Sequence, residues 1–242
     1  MKQKIIDNIK TIFYALVIAI VIRSLFIQPF YIPSSSMEPT LLVGDRIFVT
    51  KYSYGYSKHS FPFSPNFSNN RFFFKKPQQG DLVVFKTPSD NRTDYIKRLI
   101  GLPGDEIQFV DGKIYINDFL IKRKKINNFE PIRCGNFLLK TNTYEETLPN
   151  GVKYIATYNS QGTLKNTKKY KVPENHYFLM GDNRDCSKDS RFLEDVGYVN
   201  KLNFVGEAKM IFFSNDTIKG SVLKLWNLHN SFRLNRTFQA LQ

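Results

Sequence analysis

The chain is poor in the residues that build metal and thiol sites. Its 242 residues include two cysteines, three histidines and one tryptophan. Cys134 and Cys186 do not form a Cys-x-x-Cys pair, which argues against a thiolate zinc site. We therefore expect no metal and no cofactor. The two thiols can pair if the domain lies outside the cytoplasm, but their separation in space does not follow from the sequence.

The histidines are poorly placed for a serine–histidine protease. His59 lies in a stretch rich in Ser and Phe, His176 precedes a candidate strand, and His229 lies near the carboxyl terminus. None has an acidic neighbour in an arrangement that suggests a catalytic triad. A Ser-His mechanism is therefore not expected.

Acidic residues are too few to balance the basic ones. The chain has 35 Lys and Arg residues against 21 Asp and Glu residues, which gives a formal net charge of +14. Such a chain suits anionic lipid head groups or nucleic acid; the alternative is that most of the lysines are simply solvated. Strands that bind nucleic acid usually interleave aromatic and cationic residues. The candidate strands here do not, so we expect no nucleic-acid partner.

One long apolar segment lies near the amino terminus. Residues 12–22 carry no charge, and the apolar character continues past Arg23 through residues 24–27. At about 1.5 Å per residue, residues 11–30 are long enough to cross a bilayer. A cleaved signal peptide and a buried core helix are the alternatives. A clean small-x-small cleavage site is missing after the segment, which favours an uncleaved transmembrane anchor.

The flanking charges indicate the orientation of this anchor. Lys2, Lys4 and Lys10 precede it, with Asp7 as the only acid. The positive-inside rule therefore predicts that residues 1–10 are cytoplasmic and that the remainder of the chain lies beyond the membrane.

Long helical periodicity is absent between residues 33 and 213. Residues 106–110 and 113–116 flank Asp111-Gly112, a strong signal for a hairpin with a type I′ turn. Further short runs are rich in β-branched and aromatic residues, as strands are. They lie at residues 45–51, 81–85, 95–100, 177–180 and 208–213.

These patterns predict a mainly β fold class. We expect an antiparallel, barrel-like core from residues 31–121 and 171–214, preceded by the one transmembrane helix. Residues 122–170 are polar with weak strand signals and are interpreted as a smaller, inserted β subdomain. Residues 57–79 are interpreted as a loop. The tail, 215–242, is either an amphipathic element at the membrane surface or a helix packed on the domain.

A serine cluster follows the apolar segment directly. Ser34, Ser35 and Ser36 lie between Pro33 and Pro39. By itself this pattern indicates only a rigid loop. At about 3.3 Å per residue, however, these serines cannot lie far from the membrane surface. A hydroxyl there needs a base to become a nucleophile.

A candidate base lies in the strand run 95–100, which contains the adjacent cations Lys97 and Arg98. Adjacent strand residues point to opposite faces. Arg98 keeps its proton and can only pair with an acid. Lys97 shares a face with Tyr95 and Leu99, and apolar neighbours lower a lysine pKa from about 10.4 towards neutrality, as a general base requires. The alternative is a pair of solvated cations on an edge strand.

Three segments occur in the order found in type I signal peptidases, which the chain resembles. They are residues 33–40, 95–105 and 181–191, and residues 79–85 are similar to a further strand of that family. The bacterial branch fits better than the endoplasmic-reticulum relatives, because Lys97 stands where those relatives carry histidine.

The resemblance implies a Ser-Lys dyad, with Ser36 as nucleophile and Lys97 as general base. It implies that the Ser34 hydroxyl and the Ser36 backbone N–H form an oxyanion hole. It also implies that Ser187 orients the Lys97 amine by a hydrogen bond. Two supporting ion pairs are implied as well, Asp189–Arg191 and Arg98–Asp182.

Three positions depart from the family pattern. Ser35 stands in place of a glycine, Gln79 in place of an arginine, and Cys186 in place of an asparagine. None of these changes removes a group with an implied catalytic role.

The implied activity is that of a membrane-bound serine endopeptidase, which removes N-terminal signal peptides from exported preproteins after a small-x-small motif such as Ala-x-Ala. The implied partners are secretory preproteins, membrane lipids and the protein export machinery. The implied location is the bacterial inner membrane, with a periplasmic catalytic domain. Two alternatives stay open: a related Ser-Lys protease dedicated to one substrate, and a non-enzymatic, membrane-tethered basic binding domain.

Overall fold

The structure, a computed structural model, describes residues 2–66, 68–127, 131–159, 164–216 and 232–241. It begins with helix α1, Lys2–Val21, which continues into a π-helical turn, Ile22–Phe26. The strands that follow are β1 Ile27–Tyr31, β2 Asp45–Thr50, β3 Leu82–Lys86, β4 Asp94–Gly101, β5 Glu106–Val110, β6 Lys113–Ile116, β7 Phe119–Leu120, β8 Lys122–Ile126, β9 Ile132–Cys134, β10 Phe137–Leu139, β11 Thr141–Thr147, β12 Lys153–Asn159, β13 Tyr170–Lys171, β14 His176–Met180, β15 Val199–Asn200, β16 Phe204–Ser214 and β17 Gln239–Ala240.

Helix α1 stands clear of the other described residues. The side chains of Ile12, Phe13 and Leu16 are 60%, 61% and 58% exposed. Among the described residues, Gln3–Phe26 is the helical segment long and apolar enough to cross a membrane. Water disfavours so much exposed apolar surface, so the helix fits the role of a membrane anchor.

The helix ends earlier than residue 30, where the predicted span ended. Residues 27–31 form β1, which pairs with β2 in an antiparallel register from Ile27↔Thr50 to Tyr31↔Arg46. Pro29 lies in this strand, and proline has no N–H with which to continue a helix. The chain therefore passes from the apolar helix directly into the main sheet.

The main sheet is antiparallel, with strand order β1-β2-β16-β3-β4-β14-β15 and β17 paired to β16. β16 is 11 residues long and pairs with both β2 and β3. Its register shifts against each partner, and such bulges bend and twist a strand. The resulting curled sheet confirms the predicted antiparallel, barrel-like core.

Both faces of the main sheet are covered. On β3, Leu82 and Val84 pack into one hydrophobic cluster with Ile47, while the alternate residues Val83 and Phe85 pack into another. Alternate strand residues point to opposite faces, so a continuous apolar run is what a strand buried on both sides requires.

The predicted hairpin is formed by β5 and β6, with Val110 paired to Lys113. Asp111 and Gly112 have φ values of 49° and 69°. A type I′ turn needs positive φ at both central residues, so the structure confirms this prediction. β13 and β7 extend the hairpin into a sheet of order β13-β5-β6-β7.

The inserted region contains the sheet β12-β11-β8 and the small hairpin β9–β10. Leu148 and Tyr154, from this region, share a hydrophobic cluster with Ile107, Phe109 and Phe178. The predicted smaller β subdomain is thus present. It is joined to the rest of the protein by a common core, so no gap in packing separates the two.

The loop and the tail are both attached to the main sheet. Residues 57–79 are mostly irregular, apart from a 3-10 turn at Lys58–Ser60. The amphipathic or helical element predicted for residues 215–242 falls largely on 217–231, outside the described residues. The end of the tail packs on the sheet through β17 and through Arg236, whose guanidinium lies 2.6 Å from the Asp45 carboxylate.

Candidate active site

Ser36 lies in the loop between β1 and β2 and is 8% exposed. The side chains of Met37 and Leu41 anchor this loop in a buried hydrophobic cluster. Two hydrogen bonds from Asn183 also hold the loop: its side-chain amide donates to the Ser35 carbonyl (3.0 Å), and its backbone N–H donates to the Ser36 carbonyl (3.2 Å). These contacts fix the backbone on both sides of the Ser36 hydroxyl.

Lys97 reaches this hydroxyl from the middle of β4. Its Nζ donates a hydrogen bond to Ser36 Oγ over 2.6 Å, and the Lys97 side chain is almost fully buried. Burial lowers the pKa of Lys97 from its usual 10.5 to about 8, although the carboxylates of Asp189 and Asp182 oppose this shift. The structure thus brings together a serine and an amine whose pKa is lowered towards neutrality.

The strand pattern around Lys97 is the predicted one. Lys97 Nζ lies 5.3 Å from the centroid of the Tyr95 ring, two residues earlier on the same strand. Strand β4 lies between β3 and β14. Its next residue, Arg98, points to the opposite face of the sheet and pairs with an acid. The alternative of two solvated edge cations is wrong, because β4 is paired on both sides and both cations are buried.

Ser34 and Ser187 occupy different positions relative to the Ser36 hydroxyl. Ser34 Oγ lies 3.3 Å from Ser36 Oγ and is accessible from solvent. Ser187 is buried, and its Oγ has no hydrogen-bond partner within the described residues. The bond from Ser187 to the Lys97 amine that the resemblance implied is therefore not formed here.

Gly181 explains how close Ser187 comes to the Ser36 segment. A Cβ atom at position 181 would lie 2.3 Å from Ser187 Oγ and 2.5 Å from the Ser36 carbonyl oxygen. Only glycine leaves room for both loops to approach the same point of the backbone.

The two implied ion pairs are confirmed. Arg98 donates through Nε and Nη2 to the two carboxylate oxygens of Asp182, each over 2.9 Å, with both side chains 1% exposed. Arg191 lies 2.8 Å from Asp189. Burial by itself would raise the pKa of Asp189, but the charge and hydrogen bonds of Arg191 hold it below the usual value.

Sequence reasoning missed a third buried pair, between Arg184 and Glu146, at 2.7 Å. Glu146 comes from β11 of the inserted region and also accepts hydrogen bonds from the Tyr154 and Tyr158 hydroxyls. In the sequence, Glu146 and the two tyrosines lie in segments with only a weak strand pattern. The pairing of Glu146 with Arg184 depends on the packing of the inserted region against residues 181–191.

The hairpin β9–β10 touches both loops of the candidate site. Cys134 is bonded to Cys186, with 5.5 Å between their Cα atoms. The Gly135 N–H donates to Ser35 Oγ (3.3 Å), and the Arg133 N–H donates to the Glu38 carboxylate (2.7 Å). Two of the departures from the family pattern, Ser35 and Cys186, are thus partners of this hairpin.

Gln79, the third departure from the family pattern, also makes structural hydrogen bonds. Its side-chain amide donates to the Ile100 carbonyl (3.0 Å) and to the Asp105 carboxylate (3.2 Å). It therefore braces the turn that follows β4.

A cleft of about 540 Å³ opens in front of the serine–lysine pair. Ser34, Ser36 and Lys97 lie on its wall, and most of the remaining lining is apolar, contributed by Phe30, Ile32, Ile47, Val84 and Ile96. Phe30 belongs to β1, which follows the membrane helix.

The other candidate groups lie away from the cleft. His59 Nδ1 lies 2.9 Å from Ser64 Oγ, and His176 Nδ1 lies 2.8 Å from the Glu174 carbonyl oxygen. His229 is outside the described residues. Within the described part of the chain, no group of three or more His, Cys, Asp or Glu side chains is arranged to hold a metal ion.

Comparison with known proteins identifies the family to which the chain belongs. The family model described as "Signal peptidase, peptidase S26" matches residues 5–213. Signal peptidase I of Rickettsia typhi is 44% identical over 246 residues, covering 94% of this chain and 90% of that protein. Signal peptidase I of Rickettsia conorii is 43% identical over 248 residues, with the same coverage of 94% and 90%.

A solved structure is also similar. The crystal structure of a signal peptidase I from Enterococcus faecalis V583 has 28% sequence identity and a TM-score of 0.33, and the match covers 55% of this chain and 97% of that chain. The family model and the relatives span most of the sequence, from the apolar helix to the end of β16, and the chain therefore belongs to the signal peptidase family, peptidase S26, and is a hydrolase of that family.

Proposed function

We propose that this protein cleaves signal peptides from exported preproteins with Ser36 as nucleophile and Lys97 as general base. Membership of the signal peptidase family supports a protease that removes signal peptides. The observation that carries the dyad is the 2.6 Å contact between Lys97 Nζ and Ser36 Oγ in a buried site.

The chemistry follows from the low pKa of Lys97. When the amine is neutral, the contact reverses: the Ser36 hydroxyl donates to the nitrogen lone pair. Lys97 then takes the proton as Ser36 Oγ attacks the scissile carbonyl, and returns it to the leaving amine when the peptide bond breaks. A water molecule, activated by the same amine, hydrolyses the acyl-enzyme and frees Ser36.

The negative charge on the tetrahedral intermediate needs hydrogen-bond donors. The Ser36 backbone N–H and the Ser34 hydroxyl are the proposed pair. The position of Ser34 Oγ, 3.3 Å from Ser36 Oγ, supports this role, since the carbonyl under attack must come into contact with Ser36 Oγ.

Ser187 is the proposed positioning residue for the Lys97 amine. Its hydroxyl is buried without a geometrically well-formed hydrogen bond among the described residues, and it lies close enough to Asp189 to help lower the pKa of that carboxyl. A hydrogen bond from the amine would satisfy it, and buried hydroxyls are normally satisfied.

The apolar cleft supports a preference for small, uncharged side chains before the cleaved bond. The buried side chains of Ile32, Ile47 and Val84 line the cleft. A large substrate side chain would have to displace these residues, and a charged one would lose its hydration on entering. The proposed cleavage motif is small-x-small, with Ala-x-Ala as the favoured form.

The proposed topology is a single span in the inner membrane, with residues 1–10 cytoplasmic and the catalytic core, 31–121 and 171–214, in the periplasm. The Cys134–Cys186 disulfide supports this side, because disulfides persist in oxidising compartments. Membrane lipids and the export machinery, which delivers the preprotein, are the proposed partners beyond the substrate.

The experiment is cleavage of a purified preprotein by the full chain in detergent micelles, followed by electrophoresis. Ser36→Ala and Lys97→Ala should each abolish the mature band. Matched controls are Ser68→Ala, in the 57–79 loop, and Lys113→Ala, an exposed lysine of β6. Cleavage by both active-site variants at the wild-type rate would overturn the proposal.

A panel of unrelated preproteins distinguishes a general processor from a protease dedicated to one substrate. Cleavage of several, each after a small-x-small motif, supports the general role. Cleavage of a single one supports the dedicated alternative. A chain that binds preproteins without cleaving any would be the non-enzymatic binding domain, which membership of a peptidase family disfavours.

A further inference from the structure

A second cavity, of about 450 Å³, lies beside the cleft and shares Phe30 and Asp94 with it as common walls. Cations dominate its lining: Arg23 from the end of the membrane helix, Lys58 from the loop 57–79, Lys86 from β3, and Arg92 from the turn before β4. The proposed peptidase chemistry uses none of these residues.

Hydrogen bonds place this cavity at the level where the chain leaves the membrane. The Lys51 N–H donates to the Phe26 carbonyl, the last of the helical turn, over 2.9 Å. The Tyr56 hydroxyl donates to the Leu25 carbonyl, also over 2.9 Å. The segment that forms the cavity is thus tied to the outer end of the helix, where lipid head groups lie.

The cations of the cavity exceed its acids. Asp94 lies 2.9 Å from Lys86, and the Asp90 carboxylate is occupied by hydrogen bonds from Thr87 and Thr93 and from the Arg92 N–H. Arg23 and Lys58 make no ion pair within the described residues. A negatively charged group in the cavity would therefore meet unpaired cations.

One buried cation behind the cavity, Arg71, adds to this excess, whereas burial favours the neutral form of Lys51. Lys51 is 1% exposed, and burial lowers its pKa to about 7, with Asp94 opposing the shift and Arg23 and Lys86 adding to it. Arg71, close by, is held by backbone carbonyls and the Ser57 hydroxyl rather than by a carboxylate. The cations in and behind the cavity therefore outnumber its two acids, Asp90 and Asp94.

Aromatic side chains at the same end point to a lipid source for the missing anion. Phe63, on the rim of the cavity, is fully exposed, and Phe73 in the same loop is 83% exposed. Such rings are unfavourable in water but suit the interface between head groups and acyl chains.

We propose that this cavity binds the phosphate group of an anionic membrane lipid, held by Arg23 and Lys58. Arg23 and Lys58 supply direct charge-assisted hydrogen bonds to the phosphate oxygens. The bound lipid ties the loop 57–79 to the membrane next to the peptidase cleft.

The test is isothermal titration calorimetry of the full chain in neutral detergent micelles with short-chain phosphatidylglycerol. The cavity variant carries Arg23→Gln and Lys58→Gln. The control variant carries Lys122→Gln and Lys124→Gln. Both lysines are exposed on β8, and their replacement removes the same total charge as the cavity variant does. We expect the cavity variant to bind at least tenfold more weakly and the control variant to bind within twofold of wild type.

Further arms identify the ligand. Phosphatidylcholine should bind at least tenfold more weakly than phosphatidylglycerol, and inorganic phosphate should compete only at much higher concentration. Equal loss in both variants, equal affinity for phosphatidylcholine, or inorganic phosphate binding as tightly as the lipid would overturn the proposal. Tighter binding of an acidic peptide than of the lipid would overturn it too.

Folding and activity are separated from this test. Melting curves check that the double variant is folded, and Lys58→Gln alone serves if it is not, because Lys58 is only half-buried and unpaired within the described residues. The readout is lipid binding, so it stands whether or not the chain cleaves preproteins as proposed.

Discussion

Cys134 is bonded to Cys186, the residue immediately before Ser187. The bond spans 52 positions of sequence and joins the hairpin β9–β10 to the loop that also carries Asn183, which holds the Ser36 backbone. The inserted region is thereby locked to the proposed catalytic machinery, and several predictions depend on this link and its neighbours.

Removing this disulfide should lower both stability and turnover. For a closed loop of 52 residues, the loss of the cross-link costs about 4 kcal/mol in the chain-entropy account. We expect Cys134→Ser with Cys186→Ser, or treatment with a dithiol reductant, to lower the melting temperature and to reduce kcat more than to raise KM. Thermal melts and peptide-cleavage kinetics measure both. Unchanged kcat would show that the hairpin does not position the loops.

The pH profile of cleavage should report the amine of Lys97. Because burial lowers its pKa to about 8, the neutral fraction falls about tenfold for each pH unit below that value. We expect kcat/KM for a fluorogenic peptide to rise with pH and to level off above about 8. A plateau reached already near pH 6 would point to a histidine and against Lys97.

Replacing Lys97 should raise stability in a pH-dependent way. Between the folded pKa of about 8 and the ordinary value of 10.5, the unfolded chain holds a proton on Lys97 that the folded chain does not. Stability therefore rises with pH across this window, and the penalty for the buried charge is largest below pH 8. Lys97→Met removes the penalty and should stabilise the fold by roughly 2–3 kcal/mol at pH 7.

This gain should shrink towards zero by pH 10.5. Denaturant unfolding in micelles at pH 7 and pH 10 measures it. Taking the difference between Lys97→Met and wild type cancels the contribution of Lys51, which is present in both. Lys113→Met, at an exposed position, should show no such pH dependence. An equal gain at both pH values would contradict the lowered pKa.

Breaking the Arg98–Asp182 pair should destabilise the fold. Asp182→Asn leaves the buried Arg98 charge unbalanced, and such a loss costs about 3–5 kcal/mol. The matched control is Glu207→Gln, whose partner Lys209 is half exposed, so the loss should stay below about 1 kcal/mol. Equal effects of the two substitutions on the free energy of unfolding would contradict this difference.

Gly181→Ala should abolish cleavage. The added methyl group would collide with Ser187 Oγ and the Ser36 carbonyl, at 2.3 and 2.5 Å, and would force the two loops apart. Gly104→Ala serves as the control, because its φ is +90° but open space surrounds the new methyl group. It should lower the melting temperature and leave kcat nearly unchanged. A fully active Gly181→Ala variant would show that the loops need not meet at this point.

Much of the fold could be predicted because local patterns decide it. The hairpin at Asp111-Gly112 follows from the positive φ that the turn requires, and the apolar helix from its uninterrupted hydrophobicity. The end of that helix was placed four residues too late. Residues 27–30 include Gln28 and Pro29 and pair with β2, and this long-range pairing does not follow from the local apolar pattern.

Local patterns and motif order were enough to predict that an apolar helix leads into an antiparallel β fold, and that Ser36 and Lys97 are candidates for one site. Four features required the folded structure: the 2.6 Å contact between these two side chains, the Cys134–Cys186 bond, the Arg184–Glu146 pair and the cationic cavity at the membrane end. Each of these joins residues far apart in the chain, and such pairs are fixed by how strands pack rather than by what any one segment contains.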